Sequence, residues 1–234
     1  MSWNSSFCFS NFSNTSICSL AFMLFQNITP MTAQNIYPGV PENIDPNHTY
    51  LFYLHGAIVQ QQGADAISDK YGPYEYANIV GAFAELGYQV ISEVRPKDSE
   101  IPDYANKITY EVSELLKKGV PSENIVVVGA SMGGYITIET AYNLENKDLK
   151  YAVLGVCSDY AFKYFSNREQ DLCGDFFSIY ETSDQPGTCN QLLNNSKCPG
   201  NFKEVALSMG NGHGFLYKPY PDWMEPLSEW INGN

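Results

Sequence analysis

A serine between closely spaced glycines is the feature of this sequence best suited to chemistry. The segment Gly129-Ala-Ser131-Met-Gly133 follows an apolar run at 124–129 that predicts a buried strand, and a helical pattern follows at about 132–144. A G-x-S-x-G segment between strand and helix forms a sharp turn that exposes the serine hydroxyl. Ser131 is therefore the candidate nucleophile, because the following helix N-terminus also favours negative charge beside it. The alternative is a glycine-rich packing turn with an idle serine.

A serine hydroxyl needs a general base at neutral pH, and the chain has three histidines. His213 stands between glycines just after the strand predicted at 202–208, so we expect it at the same sheet edge as Ser131. A surface-loop histidine without a catalytic role is the alternative. His55 ends the first predicted strand and is a rival base. His48 precedes that strand in a turn-rich segment, where we expect it to be solvated.

Strand-like and helix-like segments alternate from about residue 50 onward. The predicted strands are 50–55, 88–94, 124–129, 151–156, 176–180 and 202–208. The predicted helices are about 76–86, 104–116, 132–144 and 223–230. This alternation implies an α/β fold with a mostly parallel sheet of about six strands and helices on both faces. Ligands bind beyond the carboxyl ends of the strands in such sheets, which is where the candidate residues fall.

These motifs and their order resemble the α/β-hydrolase superfamily over about residues 50–232. The resemblance rests on the turn His55-Gly56, the serine turn flanked by Gly129 and Gly133, a strand followed by an acidic loop, and the Gly-His-Gly loop. It implies a serine hydrolase of the esterase or lipase type that cleaves carboxylic esters through an acyl-enzyme. A peptidase or acyltransferase with the same triad, or a non-catalytic binding protein on this fold, is the alternative.

The same resemblance assigns roles to further residues. Asp184 would be the acid that orients His213, since the family places its acid in the loop after this strand. Glu181, a near neighbour, and Asp159, just past the strand 151–156, are alternative acids. The family order of serine, acid and histidine disfavours His55 as the base.

The resemblance also implies an oxyanion hole formed by the backbone amides of Ala57 and Met132. His55 would then be a structural hydrogen-bonding residue. The family's two leading antiparallel strands appear absent, and residues 157–175 leave room for a helix but not for a cap domain. We therefore expect an open site, shielded only by segment 57–74.

Six cysteines bear on compartment and bracing. Cys8 and Cys18 lie near the start, and the other four are Cys157, Cys173, Cys189 and Cys198. Four cysteines allow three pairings and suit an oxidising compartment, and their spacing does not resemble a zinc site. On the α/β-hydrolase frame, one pair follows strand ends at the catalytic edge and the other precedes strands at the opposite edge. The hypothesis is therefore Cys157–Cys189 and Cys173–Cys198.

Length, composition and charge limit the remaining possibilities. The 234 residues suit one domain, predicted at 37–234 and preceded by a signal-like or disordered leader at 1–36. We expect a secreted or periplasmic protein, although a mis-assigned start and a cytoplasmic location stay open. The net charge of −13 disfavours nucleic-acid binding. No metal, cofactor or integral membrane segment is implied, the expected partner is a small ester or similar acyl substrate, and the oligomeric state is left open.

Overall fold

A computed structural model describes residues 35–193, 196 and 198–233. The predicted leader 1–36 therefore lies outside the described residues except for its last two positions, and so do Cys8 and Cys18. Ile36 belongs to a short strand of the main sheet. The part of the chain that the structure describes includes no helix long and apolar enough to cross a bilayer.

The main sheet has seven strands, one more than the sequence predicts. They are β1 (Ile36–Tyr37), β2 (Tyr50–Leu54), β5 (Gln89–Ile91), β6 (Ile125–Ala130), β7 (Lys150–Leu154), β8 (Gly174–Glu181) and β9 (Pro199–Leu207). A separate antiparallel hairpin consists of β3 (Ile67–Ser68) and β4 (Gly72–Pro73). The unpredicted seventh strand is β1, which pairs with β5 over only two residues.

Helices connect the strands. They are α1 (Ala57–Gln62), α2 (Tyr76–Glu85), α3 (Ile101–Lys117), α4 (Met132–Leu144), α5 (Asp159–Phe165), α6 (Asn190–Leu193) and α7 (Pro221–Ile231). Short 3₁₀ helices occur at Ser122–Asn124 and Gly212–Tyr217. In α3, apolar residues recur about every four positions, and their face is buried.

The strand order is β1-β5-β2-β6-β7-β8-β9, and every pair in this sheet is parallel. Antiparallel leading strands are therefore absent from this sheet within the described residues. Since all strands run the same way, the segments after β2, β5, β6, β8 and β9 leave the sheet at one edge. This edge carries Ser131, Asp184 and His213, together with the turn His55-Gly56, and because the predicted triad lies there it is hereafter called the catalytic edge.

Alternation along the strands divides the buried side chains into two layers. In β2, Phe52 faces the layer that contains α3 and α4, whereas Tyr53 faces the layer that contains α2 and α7. In β6, Val127 and Val128 alternate in the same way. Helices therefore cover both faces of the sheet, as the sequence predicts.

Segment 57–74 contains α1 and the β3–β4 hairpin rather than an irregular loop. Tyr71, in the hairpin turn, packs on Tyr217 with 5.3 Å between the ring centroids. The Glu75 amide donates to the Tyr217 carbonyl at 2.7 Å, which fixes the end of the segment. The hairpin therefore rests on the chain that follows His213, and no cap domain is inserted at 157–175, where α5 lies.

The structure contains the disulfides Cys157–Cys189 and Cys173–Cys198, the pairing hypothesised from the sequence. The first pair joins the chain after β7 to the start of α6, at the catalytic edge. The second joins the residues that precede β8 and β9, at the opposite edge. The Gly187 amide also donates to the Cys157 carbonyl at 2.7 Å, so the chain after Asp184 is tied to β7 twice.

Candidate active site

Ser131 occupies a strained turn between β6 and α4. Its backbone has φ 53° and ψ −117°, a conformation that L-residues seldom adopt outside functional sites. The Ser131 amide donates to the Leu154 carbonyl at 2.9 Å, and its own carbonyl accepts from the Gly134 amide at 2.9 Å. The turn is therefore fixed to β7 on one side and to the first turn of α4 on the other.

The glycines around Ser131 allow strand, turn and helix to approach closely. A methyl group on Gly129 would collide with the Gly133 carbonyl, and one on Gly133 would collide with the Leu54 carbonyl. A methyl group on Gly134 would strike the Val156 side chain. These positions need glycine for packing, because each contact involves backbone or a buried side chain.

His213 and Asp184 form a direct pair. Asp184 Oδ2 lies 2.5 Å from His213 Nδ1, within hydrogen-bonding distance. The Asp184 side chain is 7% exposed and that of His213 is 26% exposed, so the imidazole has one side open to solvent. The loops after β8 and β9 thus bring together an acid and a histidine that are 29 residues apart.

The imidazole of His213 lies over Gly155, the first residue after β7. A Cβ on Gly155 would be 3.4 Å from His213 Cε1, and its φ of +61° also favours glycine. Gly155 directly follows Leu154, whose carbonyl accepts the Ser131 amide. The histidine ring therefore lies beside the serine turn. Among the described residues no hydrogen bond joins the Ser131 hydroxyl to this ring.

Two backbone amides near Ser131 stand in the first turns of helices. Ala57 begins α1 and Met132 begins α4, and the first N–H groups of a helix have no acceptor within it. Gly56 brings the first turn close, since a Cβ there would be 3.6 Å from Ser131 Cβ. Both amides predicted for the oxyanion hole thus flank the serine.

His55 is buried behind this turn and has both ring nitrogens engaged. Its Nδ1–H donates to the Gly56 carbonyl at 2.9 Å, and its Nε2 accepts the Arg95 amide at 3.0 Å. Burial, and then the charge of Arg95, lower the pKa of His55 to about 3. A neutral imidazole with no free nitrogen fits a structural role better than that of a base.

Arg95 is a buried residue of the site that the sequence analysis did not single out. It is 2% exposed; its Nη2 donates to the His55 carbonyl at 2.5 Å and its Nε to Gln60 Oε1 at 3.0 Å. Burial lowers the pKa of Arg95 to about 10, so the group stays a cation at neutral pH. The signal available in the sequence was its place, a positive charge just past the predicted strand 88–94 and so at the catalytic edge.

The rival acids stand apart from the imidazole. Glu181 is fully buried at the end of β8, where its carboxylate accepts bonds from loop amides. Asp159 is the first residue of α5, beside the capping residue Ser158. His48 lies in the turn before β2, and its backbone amide donates to Asp45. Of the three candidate acids, Asp184 is the one whose carboxylate meets His213.

An open groove lies next to the histidine loop. It has a volume of about 500 Å³ and is lined by Tyr71, Tyr220, Lys70 and the backbone of Gly212, among others. Concave sites of this size suit small organic ligands. Over the residues that the structure describes, no three His, Cys, Asp or Glu side chains gather as a metal ion would require.

Comparisons with known proteins agree with this architecture. Residues 88–165, about a third of the chain, match the model of the phospholipase/carboxylesterase family. No curated protein matches the sequence. The matched segment includes Ser131 and Met132 but ends before Asp184 and His213.

Solved structures resemble the whole described fold at low sequence identity. A CIB-like hydrolase from Thermoplasma acidophilum has a TM-score of 0.51 at 16% identity, with 82% of this chain and 90% of that chain covered. The esterase Est22 has a TM-score of 0.50 at 17% identity, over 83% and 75% of the two chains.

A third example is the 2-hydroxy-6-oxo-6-phenylhexa-2,4-dienoate hydrolase from Rhodococcus sp. strain RHA1, with a TM-score of 0.50 at 14% identity, over 81% and 92% of the chains. At such identities the likeness concerns the fold, and it extends well beyond the segment that the family model matches. The parallel sheet, the serine turn after β6 and these likenesses together show that the chain has the α/β-hydrolase fold.

Proposed function

We propose that this protein is a serine hydrolase that cleaves carboxylic esters through an acyl-enzyme. The observation that carries the proposal is the His213–Asp184 pair beside the strained turn of Ser131, at the edge where a parallel sheet binds its ligands. The partial match to a phospholipase/carboxylesterase model supports ester chemistry in particular.

The proposed first half-reaction forms the acyl-enzyme. The Ser131 hydroxyl oxygen attacks the ester carbonyl carbon, and His213 Nε2 takes the hydroxyl proton. Asp184 holds the ring with Nδ1–H toward itself and stabilises the imidazolium. The amides of Ala57 and Met132 donate to the oxyanion. Collapse breaks the bond to the alkoxy oxygen, which leaves as the alcohol with the proton from His213.

The second half-reaction repeats these steps with water. His213 takes a proton from water, the resulting hydroxide attacks the acyl carbon, and the bond to Ser131 breaks. The proton returns to the serine oxygen, and the carboxylic acid departs. The missing hydrogen bond between serine and histidine is compatible with this scheme, because such bonds often tighten only when substrate is bound.

The open groove beside the histidine loop supplies a place for part of the substrate. Its lining of tyrosines, glycine backbone and Lys70 is mostly polar in character. We propose a small ester or related acyl compound as the substrate rather than a macromolecule. The two disulfides favour an oxidising compartment such as the periplasm or the outside of the cell.

The decisive experiment combines a fluorophosphonate probe with a panel of p-nitrophenyl esters. The wild-type protein should be labelled at Ser131 and should hydrolyse short esters, whereas Ser131→Ala should lose label and roughly 10⁴-fold or more of kcat. Ser158→Ala, which removes the serine that caps α5 outside the proposed triad, controls for labelling specificity.

Three outcomes would change the proposal. Wild-type rates in Ser131→Ala would exclude the mechanism. Absence of labelling with a folded wild-type protein would favour a binding protein on a hydrolase fold. Faster cleavage of an amide substrate, or transfer to an added alcohol in preference to water, would replace esterase by peptidase or acyltransferase.

A further inference from the structure

Glu181 is a buried anion without a cationic partner in the described chain. It is the last residue of β8, it is fully buried, and no Lys, Arg or His among the described residues forms an ion pair with it. An ionised carboxylate in such a place is costly unless hydrogen bonds compensate. The groups that compensate show what the residue does.

Both loops of the candidate acid–base pair donate to this single carboxylate. From the loop after β9, the Met209 amide donates to Oε1 at 3.0 Å, the Gly210 amide to Oε1 at 3.2 Å and the Gly212 amide to Oε2 at 3.1 Å. From the loop after β8, the Ser183 amide donates to Oε2 at 2.9 Å, and the Ser183 hydroxyl donates to the same oxygen. The Ser183 hydroxyl oxygen also accepts from the Gly212 amide at 3.1 Å.

The positions of these donors along the chain matter. Ser183 immediately precedes Asp184, and Gly212 immediately precedes His213. The two residues that must meet at 2.5 Å are therefore each one residue away from a group that is tied to Glu181. Two further bonds join the chain after β8 to that after β9 closer to the strand ends: the Thr182 amide donates to the Leu207 carbonyl at 2.9 Å, and the Thr182 and Ser208 hydroxyls lie 3.4 Å apart.

The network requires a charged acceptor. Burial raises the pKa of Glu181, but bonds from Ser183, Gly210 and Met209 outweigh it, so the pKa lies below its usual value. Both oxygens of Glu181 face N–H groups. A protonated acid or an amide at this position would direct its own O–H or N–H at some of these N–H groups, and two donors cannot form a hydrogen bond with each other. Only the carboxylate, with an acceptor oxygen on each side, can accept all five of these bonds at once.

We propose that Glu181 is the positioning residue of the acid–base pair: its carboxylate clamps the Asp184 and His213 loops together so that their side chains meet. It takes no part in proton transfer itself and acts through the backbone of its neighbours. This assignment rests on the proposed function, since it concerns the geometry that the proposed triad needs. It differs from the alternative role of Glu181 as the acid itself.

The primary test is Glu181→Gln, which keeps the size of the side chain and removes one acceptor oxygen. The amide nitrogen would face at least two N–H donors, so the loops should separate slightly. Since a misplacement of about 1 Å can cost roughly 100-fold in rate, we expect kcat to fall by about that factor. The effect on KM should be much smaller than that on kcat, because Lys70, Tyr71 and Tyr220 line the groove from outside both loops.

Ser183→Ala separates geometry from charge. It removes one donor to Glu181 and the bridge to Gly212, and it leaves the carboxylate and its charge in place. We expect roughly a tenfold fall in kcat. Because this variant is mild, it also decides the matter if Glu181→Gln fails to fold.

Glu139→Gln is the matched control. Glu139 is likewise a buried carboxylate, 3% exposed, but it lies within α4 and pairs with Arg168, away from both loops. Its loss should lower stability without changing kcat. If Glu139→Gln and Glu181→Gln lowered kcat by the same factor, the effect would come from the loss of any buried charge, and the proposal would be overturned.

The readout that needs no substrate is the proton NMR resonance of the His213 Nδ1–H bonded to Asp184. It should be downfield and sharp in the wild type and in Glu139→Gln, and it should shift or broaden in Glu181→Gln and Ser183→Ala. An unaltered resonance with wild-type kcat in folded Glu181→Gln would overturn the proposal. If the wild type itself hydrolyses no ester and binds no probe, the proposed function fails, whereas the resonance still decides whether Glu181 clamps the pair.

Discussion

The turn that carries the Ala57 amide and the loops that carry Asp184 and His213 are each held by a buried charge, but the two charges have opposite signs. Behind the turn, the guanidinium of Arg95 donates to the His55 carbonyl. Behind the loops, the carboxylate of Glu181 accepts from backbone amides. Each charge is buried at the catalytic edge without an ion-pair partner in the described chain.

The difference follows from which backbone groups each region needs to keep free. An oxyanion hole works through N–H groups, so the support behind the Ala57 turn must bind carbonyl oxygens, and a cation does so. The acid–base loops work through side chains, so their N–H groups can be used for support, and an anion collects them. The sign of the buried charge thus complements the chemistry that each region is proposed to perform.

The largest effect that would test this comparison is expected from Arg95→Met. The change keeps side-chain volume but removes the donors to the His55 carbonyl and Gln60, so the Ala57 amide should lose its fixed direction. We expect kcat to fall by roughly 100-fold with the acid–base pair intact. Steady-state kinetics and the His213 Nδ1–H resonance measure both parts.

Arg168→Met serves as its control, since Arg168 is a partly exposed guanidinium paired with Glu139 far along α4. Its removal should leave kcat unchanged. Wild-type kcat in Arg95→Met would show that Arg95 does not hold the Ala57 turn. An altered His213 resonance in that variant would show that the two supports are not separate.

A medium effect is expected in the pH dependence of stability. Because the pKa of His55 drops from 6.5 to about 3 on folding, the unfolded chain binds more protons between these values. Because of this histidine, the free energy of unfolding falls as the pH falls below about 6.5, by up to about 1.4 kcal/mol per pH unit. Glu181, whose pKa is lowered from 4.5, contributes stability above that pH and loses it only as the pH falls further.

Urea unfolding from pH 7 to pH 3.5 in wild type and His55→Gln checks this order. The difference between the two proteins should change with pH between about 6.5 and 4.5, whereas Glu181→Gln should differ from wild type by a constant amount over the same interval. The opposite pattern would mean that the acid–base loops, not the Ala57 turn, are the first to respond to acid.

The smallest effect on catalysis is expected from the disulfides. Cys157→Ser with Cys189→Ser and Cys173→Ser with Cys198→Ser each open a loop of similar length, 32 and 25 residues. Each pair should lose about 3–4 kcal/mol of unfolding free energy, measured by urea. Only the first pair, which braces the chain after Asp184, should also lower kcat slightly. Equal kcat values for both would show that the Asp184 loop is held by Glu181 without help from the disulfide.

Much of the fold is readable from the sequence because its strongest patterns are local. Valine-rich β6, the glycines after it and the four-residue apolar repeat of α3 predict their own elements. Strand β1 cannot be predicted from the sequence because two residues are too few to show a periodic pattern. Its pairing with β5 is also a long-range contact, which no local pattern indicates. The hairpin in segment 57–74 is missed for the same reason, since its two strands are two residues each.

The site is readable in its side-chain types but not in its supports. Ser131 and His213 can be recognised in the sequence because each has flanking glycines and each follows a predicted strand. Glu181 and Asp184 look alike in sequence, three residues apart after one strand, and only the fold shows that one faces the imidazole and the other faces amides. The position of Arg95 after β5 hints at the catalytic edge, yet its burial depends on residues 35 to 40 positions away.

The close approach of Gly133 to the Leu54 carbonyl has a mechanical consequence. The two backbones are in direct contact there, with no side chain between them. Helix α4 and strand β2 therefore cannot slide or tilt relative to each other without a collision. Ser131 and the amides around it therefore form a stiff unit, which under the proposed function would offer every substrate the same geometry. Under the same proposal, adaptation to substrates of different size would fall to the β3–β4 hairpin, because its Tyr71 ring packs on Tyr217 without any covalent bond between them.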